Sequence, residues 1–442
     1  MLVFTAAATF MLSVALLGQP LARVAVFVSA LAFGAGLLAL PAAVPLGLWS
    51  VPFTDVLVPL AAYLCVMAFG FPFSPTRLLV FVAVLVTGMI NGILGEAPKL
   101  LTEARGPVYF VCAVVVAGCI YRSENRQSAS SVIGAGLAFS AALVLASALS
   151  GRDFVGGRVA ALASTSNLGA LDVTRYLVPT AWVAATVLGG GVSLALTGAL
   201  PINRRTAICS ISCAILVLLS FSRNHLVMIG GSAVITVLVR FRPARVVRTV
   251  VGLVLFSAAA VVVSKIVGGG FVVAQLNSYV DRVVGGLGAA ARNTDSSVLL
   301  RLQENYFARQ AWSHSPLFGQ GIGTVYRPPI GTPGSEPFWL SDGRYYIHNN
   351  YWRFLVKMGV LGLASFLWLA IGPLRGAIRR GGSLGIASAA TLLGALAAAF
   401  TVPTPWEGPS ALVLGSLIGI VSALEAPSWA TSLSPAAVRG TR

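Results

Sequence analysis

The chain has 442 residues, of which 57% are hydrophobic and 10% are charged, and its 30 basic and 13 acidic side chains give a net charge of +17. A soluble domain has about 25% charged residues, so this composition excludes an ordinary soluble protein. The apolar residues come in blocks of about 17–22, the length that crosses the hydrocarbon core of a bilayer. The sequence therefore predicts an all-α polytopic membrane protein, embedded in membrane lipid, with about 12–13 transmembrane helices.

The apolar blocks make residues 1–426 a single predicted integral membrane domain. The first two blocks form the least regular pair, so twelve spans fit the pattern as well as thirteen. In chain order the blocks are residues 2–18, 22–40, 54–70, 78–95, 106–121, 131–149, 174–198, 206–220, 223–240, 247–266, 349–372, 383–402 and 409–426. The tail at 427–442 is predicted to be disordered.

Arginines in the short connections predict the orientation, because cytoplasmic loops carry an excess of Lys and Arg. The clusters lie at 122–126, 204–205, 240–248 and 375–380. This distribution also explains the net charge, so no nucleic-acid partner is expected. If the clusters and the tail are cytoplasmic, alternation places four other regions outside, namely 96–105, 150–173, the turn at Arg223 and the loop at 267–348.

The loop at 267–348 is the one large water-facing region of the predicted topology. From Asp295 to Trp312 its pattern is that of an amphipathic helix, with Asp295 or Ser296 as the N-cap. Basic and amide side chains at Arg301, Asn305 and Arg309 share one face. The other side of this predicted helix carries Leu299, Leu302, Tyr306 and Phe307.

Four side chains have the chemistry to bind or activate a substrate outside the membrane. The guanidinium groups of Arg223, Arg301 and Arg309 suit phosphate oxygens, which they can bind through two parallel hydrogen bonds. The imidazole of His348, where the loop becomes a membrane helix, suits proton transfer near pH 7. Each residue also has a plainer interpretation: an interface anchor for Arg223, a solvated helix face for the loop arginines, and a structural role for His348.

Several alternative chemistries lack their residues in this sequence. The first outer loop has no carboxylate pair, no DxD or Walker motif occurs, and the five cysteines all lie inside apolar blocks. The glycines at 319, 321 and 323 follow no predicted strand, so they do not predict a dinucleotide site; they predict a tight turn with an exposed backbone. No metal and no cofactor is expected.

The motifs resemble a known family. Residues 301–312, the run 316–323, and His348-Asn349 followed by Gly359 and Gly362 resemble the C-terminal signature of the O-antigen ligase and O-antigen polymerase superfamily. Ser222-Arg223 resembles the family's arginine region, although Val227 stands where that pattern has leucine. The loop at 150–173, with Arg158 and Asn167, resembles an upstream basic loop. The motif-level resemblance covers about 220–365, and elsewhere only the helix-rich layout agrees.

This resemblance implies a glycosyltransferase of the bacterial cytoplasmic membrane with its active site facing outside. The donor would be a glycan on undecaprenyl diphosphate, and the acceptor a hydroxyl of a glycan or lipid. Transfer would be metal-independent and inverting. In this assignment His348 activates the acceptor, and the substrate-binding residues are Arg223, Arg301, Arg158, Arg309 and Asn349.

Two other classes of function stay open from the sequence. A polytopic transporter or flippase of lipid-linked glycans would be expected to carry intramembrane acids or internal repeats, and the candidate spans have almost no acids and no repeat. A scaffold would leave the large loop and its basic helix unexplained. Ligase and polymerase activities are not distinguished, since both use the same class of donor.

Overall fold

The computed structural model describes residues 20–37, 43–46, 49–150, 152, 154, 158–162, 173–252, 296–328 and 344–426. Within these ranges the regular secondary structure is helical apart from two short antiparallel strand pairs. The first half contains α1 (Leu21–Leu37), β1 (Ala43–Leu46), β2 (Trp49–Pro52), α2 (Phe53–Phe69), α3 (Thr76–Leu94), α4 (Leu100–Arg122), α5 (Arg126–Ser150), β3 (Arg158–Leu162) and β4 (Val173–Leu177).

The second half carries the loop helix and the last membrane helices. Its elements are α6 (Thr180–Thr197), α7 (Arg204–Leu219), α8 (Arg223–Val239), α9 (Ser296–His314), α10 (Asn350–Ile371), α11 (Leu374–Arg380), α12 (Gly382–Ala398) and α13 (Gly408–Glu425). The chain is also helical at 243–252. The predicted span at 2–18, most of the one at 247–266, and the predicted tail lie outside the described residues.

By length and apolar composition, six helical stretches of the described chain could cross a membrane. They are α3, α4, α5, α6, α10 together with α11, and α13. Four shorter apolar stretches accompany them at Leu21–Gly34, Thr54–Phe69, Arg223–Val239 and Gly382–Ala398. The predicted all-α polytopic architecture is therefore confirmed.

One predicted span begins too early. The block at 174–198 was expected to be helical throughout, but residues 173–177 form β4 and the helix starts at Thr180. Pro179 explains the boundary, because a proline disfavours helical conformation in the residue before it. In the β3–β4 pair, Arg158 lies opposite Leu177.

Helix α13 packs closely against α4 at the centre of the bundle. A Cβ added to Gly415 or Gly419 would lie 2.4 Å from the carbonyl oxygen of Phe110 or 2.2 Å from that of Val114. Small residues that let backbones approach in this way are typical of helix contacts in membranes. Beside this contact, Phe81, Phe110, Phe354 and Phe366 form a buried aromatic group that joins α3, α4 and α10.

The ends of the helices differ in chemistry. At one end arginines bind the last carbonyls of α13: Arg122 donates to the carbonyl of Ala426 at 2.9 Å and Arg380 donates to that of Glu425. Arg77 forms an ion pair with the Glu425 side chain at 2.5 Å. At the other end the start of α4 contacts the large loop, and the start of α8 contacts the connection between α12 and α13.

Candidate active site

A histidine and a carboxylate that are 44 residues apart in sequence meet where the large loop ends. His348 Nδ1 lies 2.9 Å from Oε2 and 3.1 Å from Oε1 of Glu304, and the His348 backbone N–H donates to Oε2 at 3.1 Å. Glu304 is 2% exposed, whereas 29% of the His348 side chain is exposed. The carboxylate therefore holds the imidazole through Nδ1, which leaves Nε2 as the nitrogen for proton exchange with a substrate.

Glu304 is positioned by the face of α9 that packs on the protein. Ala308 and Ala311 are buried on this face and contact a small cluster with Tyr326, Ile347 and Val356. The predicted helix at 295–312 is confirmed. Leu302 and Tyr306, which the sequence places on the apolar side of this helix, are 57% and 60% exposed. The packed face of α9 instead carries the small side chains of Ala308 and Ala311.

Asn349, a predicted substrate-binding residue, is the N-cap of α10. Its side-chain oxygen accepts hydrogen bonds from the backbone N–H groups of Tyr351 at 3.0 Å and Trp352 at 3.3 Å. A cap of this kind satisfies donors that the helix itself cannot pair. It also fixes the direction in which the chain leaves His348, while a substrate role for Asn349 stays a prediction.

The predicted arginines have different environments. Arg301 is half-buried and lies one turn before Glu304 on α9, on the same side of that helix. Arg309 is exposed, and its position five residues after Glu304 turns it away from that side. A shared substrate-facing role for the two arginines stays a prediction. Arg158 lies in β3, and only its backbone belongs to the described part of the chain.

Arg223 is the first residue of α8, at the same end of the bundle as His348. Its neighbour Asn224 accepts a hydrogen bond from Thr401 at 2.6 Å, in the connection between α12 and α13. The same connection reaches α10, because the Asn350 backbone N–H donates to the Ala399 carbonyl at 3.0 Å. One connection thus ties the arginine turn to the segment that carries the histidine.

His225, which had no evident context in the sequence, is buried beside Arg223. Its Nδ1 lies 3.0 Å from Ser220 Oγ. Its ring packs edge-on against that of Trp182, with 4.8 Å between the ring centres. These contacts fix the first turn of α8, from which Arg223 projects.

The glycine-rich run after α9 is buried, which corrects the prediction of an exposed turn. The Gln320 and Gly321 N–H groups donate to the carbonyls of Val356 and Lys357 in α10, and the Ile322 N–H donates to the Gly88 carbonyl in α3. A Cβ added to Gly321 would lie 2.4 Å from a backbone nitrogen of α3. The glycines therefore allow backbone to pack against backbone, and they do not surround a nucleotide phosphate.

Gly359 of the histidine motif is the position where α10 breaks. Its φ of 67° and ψ of −165° are not helical, and a Cβ there would lie 2.1 Å from the Leu317 carbonyl oxygen. It is the tenth residue of α10, about 14 Å along the axis from the first at 1.5 Å per residue. The glycine-rich loop thus descends beside the helix. Irregular backbone is tolerated at such depth where protein covers it.

A buried cluster of charged side chains binds the backbone of the glycine-rich loop. Glu103, in the first turn of α4, pairs with Arg353 at 2.6 Å and with Lys357 at 2.8 Å, and it accepts the Gly323 N–H at 2.8 Å. Lys357, which is fully buried, also donates to the Thr324 carbonyl at 2.5 Å. Sequence reasoning missed this cluster. The signal was a pair of basic residues four apart inside an apolar span, since such charges require a partner.

Aromatic rings border the histidine. The Tyr346 ring packs edge-on against the His348 ring, with 4.7 Å between the ring centres. The Tyr346 hydroxyl donates a hydrogen bond to the Glu407 carboxylate at 2.5 Å. Desolvation and then the Glu407 carboxylate raise the pKa of Tyr346 well above its ordinary value, so the hydroxyl stays protonated as the donor. The Tyr326 hydroxyl donates to the Tyr346 carbonyl at 3.0 Å and so fixes the same segment.

No three His, Cys, Asp or Glu side chains of the described ranges lie close enough together to hold a metal ion. A carboxylate-bound imidazole can accept a proton, and nearby guanidinium groups can bind an anionic leaving group.

The comparison with known families agrees with the motifs. A profile described as O-Antigen ligase matches residues 208–367, a range that begins in α7 and ends in α10 and so includes Arg223, Glu304, the glycine-rich loop and His348. No curated protein matches the chain. The resemblance seen in the sequence is therefore confirmed over residues 208–367, which are similar to the O-antigen ligase and polymerase superfamily.

Proposed function

We propose that this protein transfers a glycan from an undecaprenyl-diphosphate-linked donor to a hydroxyl of a glycan or lipid acceptor, at the outer face of the bacterial cytoplasmic membrane. The observation that carries the proposal is the pairing of His348 Nδ1 with the buried Glu304 carboxylate at 2.9 Å. A carboxylate that holds a histidine in one tautomer is a recurring arrangement for a general base. The pair of His348 and Glu304 lies at the end of the bundle that also carries Arg223 and Arg301.

In the proposed reaction His348 Nε2 takes the proton of the acceptor hydroxyl. The acceptor oxygen attacks the anomeric carbon of the donor sugar, and the bond from that carbon to the diphosphate oxygen breaks. The diphosphate leaves with the electron pair. Glu304 stabilises the imidazolium that forms, and the single displacement inverts the configuration at the anomeric carbon.

The leaving diphosphate needs positive charge more than it needs a proton. We assign this role to Arg223 and Arg301, because guanidinium groups bind phosphate oxygens in pairs. Arg158, Arg309 and Asn349 are further candidates for substrate contact. Since guanidinium groups supply the charge in this proposal, it requires no divalent cation.

Purified full-length protein in lipid nanodiscs, supplied with a lipid-diphosphate-linked glycan and candidate acceptors, tests the proposal. The expected result is a covalent product in which the glycan has left the carrier lipid. Arg301→Ala should lower the rate by about 10²–10³-fold, as loss of one charge-stabilising donor does in other enzymes. Arg205→Ala, an exposed arginine at the opposite end of the bundle, is the matched control.

Movement of the donor between leaflets of a vesicle without covalent product would contradict the proposal and favour a flippase. Equal transfer rates for the Arg301 variant and its control would remove Arg301 from the site. The acceptor that yields product in the assay would also distinguish a ligase from a polymerase.

A further inference from the structure

Four buried side chains beside the histidine have polar atoms with no hydrogen-bond partner in the described part of the chain. They are both polar atoms of the Asn350 amide, Nε and one terminal nitrogen of Arg353, Oγ1 of Thr404 and Nε1 of Trp406. All four residues are at least 96% buried. Buried polar groups are paired in the great majority of cases, because leaving one unpaired costs about 1–3 kcal/mol. A concentration of such atoms therefore requires an explanation.

These residues lie on two chain segments that contact each other, and together they are called here the buried polar cluster. Asn350 and Arg353 lie three residues apart, on one face of the first turn of α10. The Arg353 guanidinium carbon is 5.0 Å from the centre of the Trp406 ring. Thr404 is two residues before Trp406, in the connection whose Ala399 carbonyl binds the Asn350 N–H.

Donors outnumber acceptors in the buried polar cluster. The unpartnered atoms offer about seven N–H and O–H hydrogens, from Arg353, Asn350, Thr404 and Trp406, but only two acceptor oxygens. The nearby carboxylates have other partners: Glu103 binds Arg353, Lys357 and Gly323, and Glu407 accepts from Tyr346. Water both donates and accepts, so a donor excess fits it poorly. A group that only accepts hydrogen bonds fits better.

We propose that the buried polar cluster binds phosphoryl oxygens of an anionic ligand, as a site additional to the arginines assigned above. Its identification with the diphosphate of the donor rests on the proposed function, but the binding of a phosphoryl group does not. Arg353 supplies the charge and two unpartnered nitrogens, and Trp406, Thr404 and Asn350 supply neutral donors. The partly exposed Tyr346 ring lies over the Arg353 guanidinium at 5.3 Å and also contacts the His348 ring.

Inorganic pyrophosphate, titrated into the full-length protein in nanodiscs at constant ionic strength, tests this site. Two substitutions each remove a single donor: Thr404→Val keeps the shape of the side chain, and Trp406→Phe keeps an aromatic ring at its position. Each should weaken pyrophosphate binding by about 10- to 100-fold, the value of a hydrogen bond to a charged group. Trp352→Phe, at a partly exposed tryptophan of the same helix end, is the control and should bind pyrophosphate like the wild type.

Three outcomes would overturn the site. The wild type could fail to bind pyrophosphate, or both variants could bind it as tightly as the control. The variants could also unfold at a higher temperature than the wild type and bind pyrophosphate equally well. This result would mean that the donors bind only water or have no ligand. Each outcome is separate from the transfer assay, because binding at equilibrium requires no acceptor. If the wild-type protein bound pyrophosphate but formed no transfer product, the proposed enzymatic activity would be contradicted and the phosphoryl-binding site would stand.

Discussion

Replacing Glu304 with glutamine tests whether the carboxylate that holds His348 takes part in catalysis. The substitution keeps the size of the buried side chain and its ability to accept the His348 backbone N–H. It removes the negative charge 2.9 Å from His348 Nδ1, and the amide can equally present its NH₂ group to that nitrogen and hold the wrong tautomer. The proton-accepting form of the imidazole is then no longer favoured.

The size of the effect follows from the role of the pair. A positioned general base contributes about 10²–10⁴-fold, and neutralising the carboxylate of a serine-protease triad costs about 10⁴-fold in kcat. Because 29% of the His348 side chain is exposed, water can replace part of the lost stabilisation. We therefore expect Glu304→Gln to lower kcat by about 10²–10³-fold, with the KM for the donor little changed, since the interaction acts in the transition state.

The assay is the transfer reaction in nanodiscs, with kcat and KM determined separately and the amount of folded protein measured by size-exclusion chromatography. Glu124→Gln is the matched control, because it makes the same substitution at an exposed position on the arginine-rich end. A folded Glu304→Gln protein whose kcat lies within a few-fold of the control would refute the assigned role of Glu304.

Three further predictions concern the parts that support the site. Glu103→Gln leaves Arg353 and Lys357 without their shared anion and should lower the free energy of unfolding by about 3–5 kcal/mol. Lys357→Met leaves the Glu103–Arg353 ion pair in place and should lower the free energy of unfolding by less. Equal unfolding temperatures for the two variants would contradict this prediction. Gly321→Ala, at φ +101° against a neighbouring backbone, should abolish the folded protein, whereas Gly191→Ala, in open space on α6, should stabilise it by about 1 kcal/mol in a thermal unfolding assay. Transfer should continue at an unchanged rate in excess EDTA, and loss of activity that added Mg²⁺ restores would show that a cation supplies the charge assigned to the arginines.

The membrane helices were predictable because hydropathy is a local property of the sequence. The predicted block at 54–70 corresponds to Phe53–Phe69, and the block at 409–426 to Gly408–Glu425. The loop helix was also predictable, from its cap and its helical periodicity. Its packed face was not, because the sequence cannot say whether an apolar side chain of a membrane protein meets lipid or protein.

The partners of the site residues could not be predicted, because they depend on contacts between distant segments. Glu304 lies 44 residues before His348, and Glu103 lies 250 residues before Arg353. A sequence without aligned relatives carries no signal for such a pair. The sequence does show that Arg353 and Lys357 lie inside an apolar span and therefore need an anionic partner. It does not identify that partner.

The most direct test of the proposed active site is a single-turnover transfer reaction with His348→Ala and His314→Ala in parallel. His314 is an exposed histidine at the end of the helix that carries Glu304, and its variant should transfer the glycan at the wild-type rate. The His348 variant should bind the lipid-diphosphate donor normally and form product at least about 10²-fold more slowly. Wild-type product formation by folded His348→Ala protein would contradict the account.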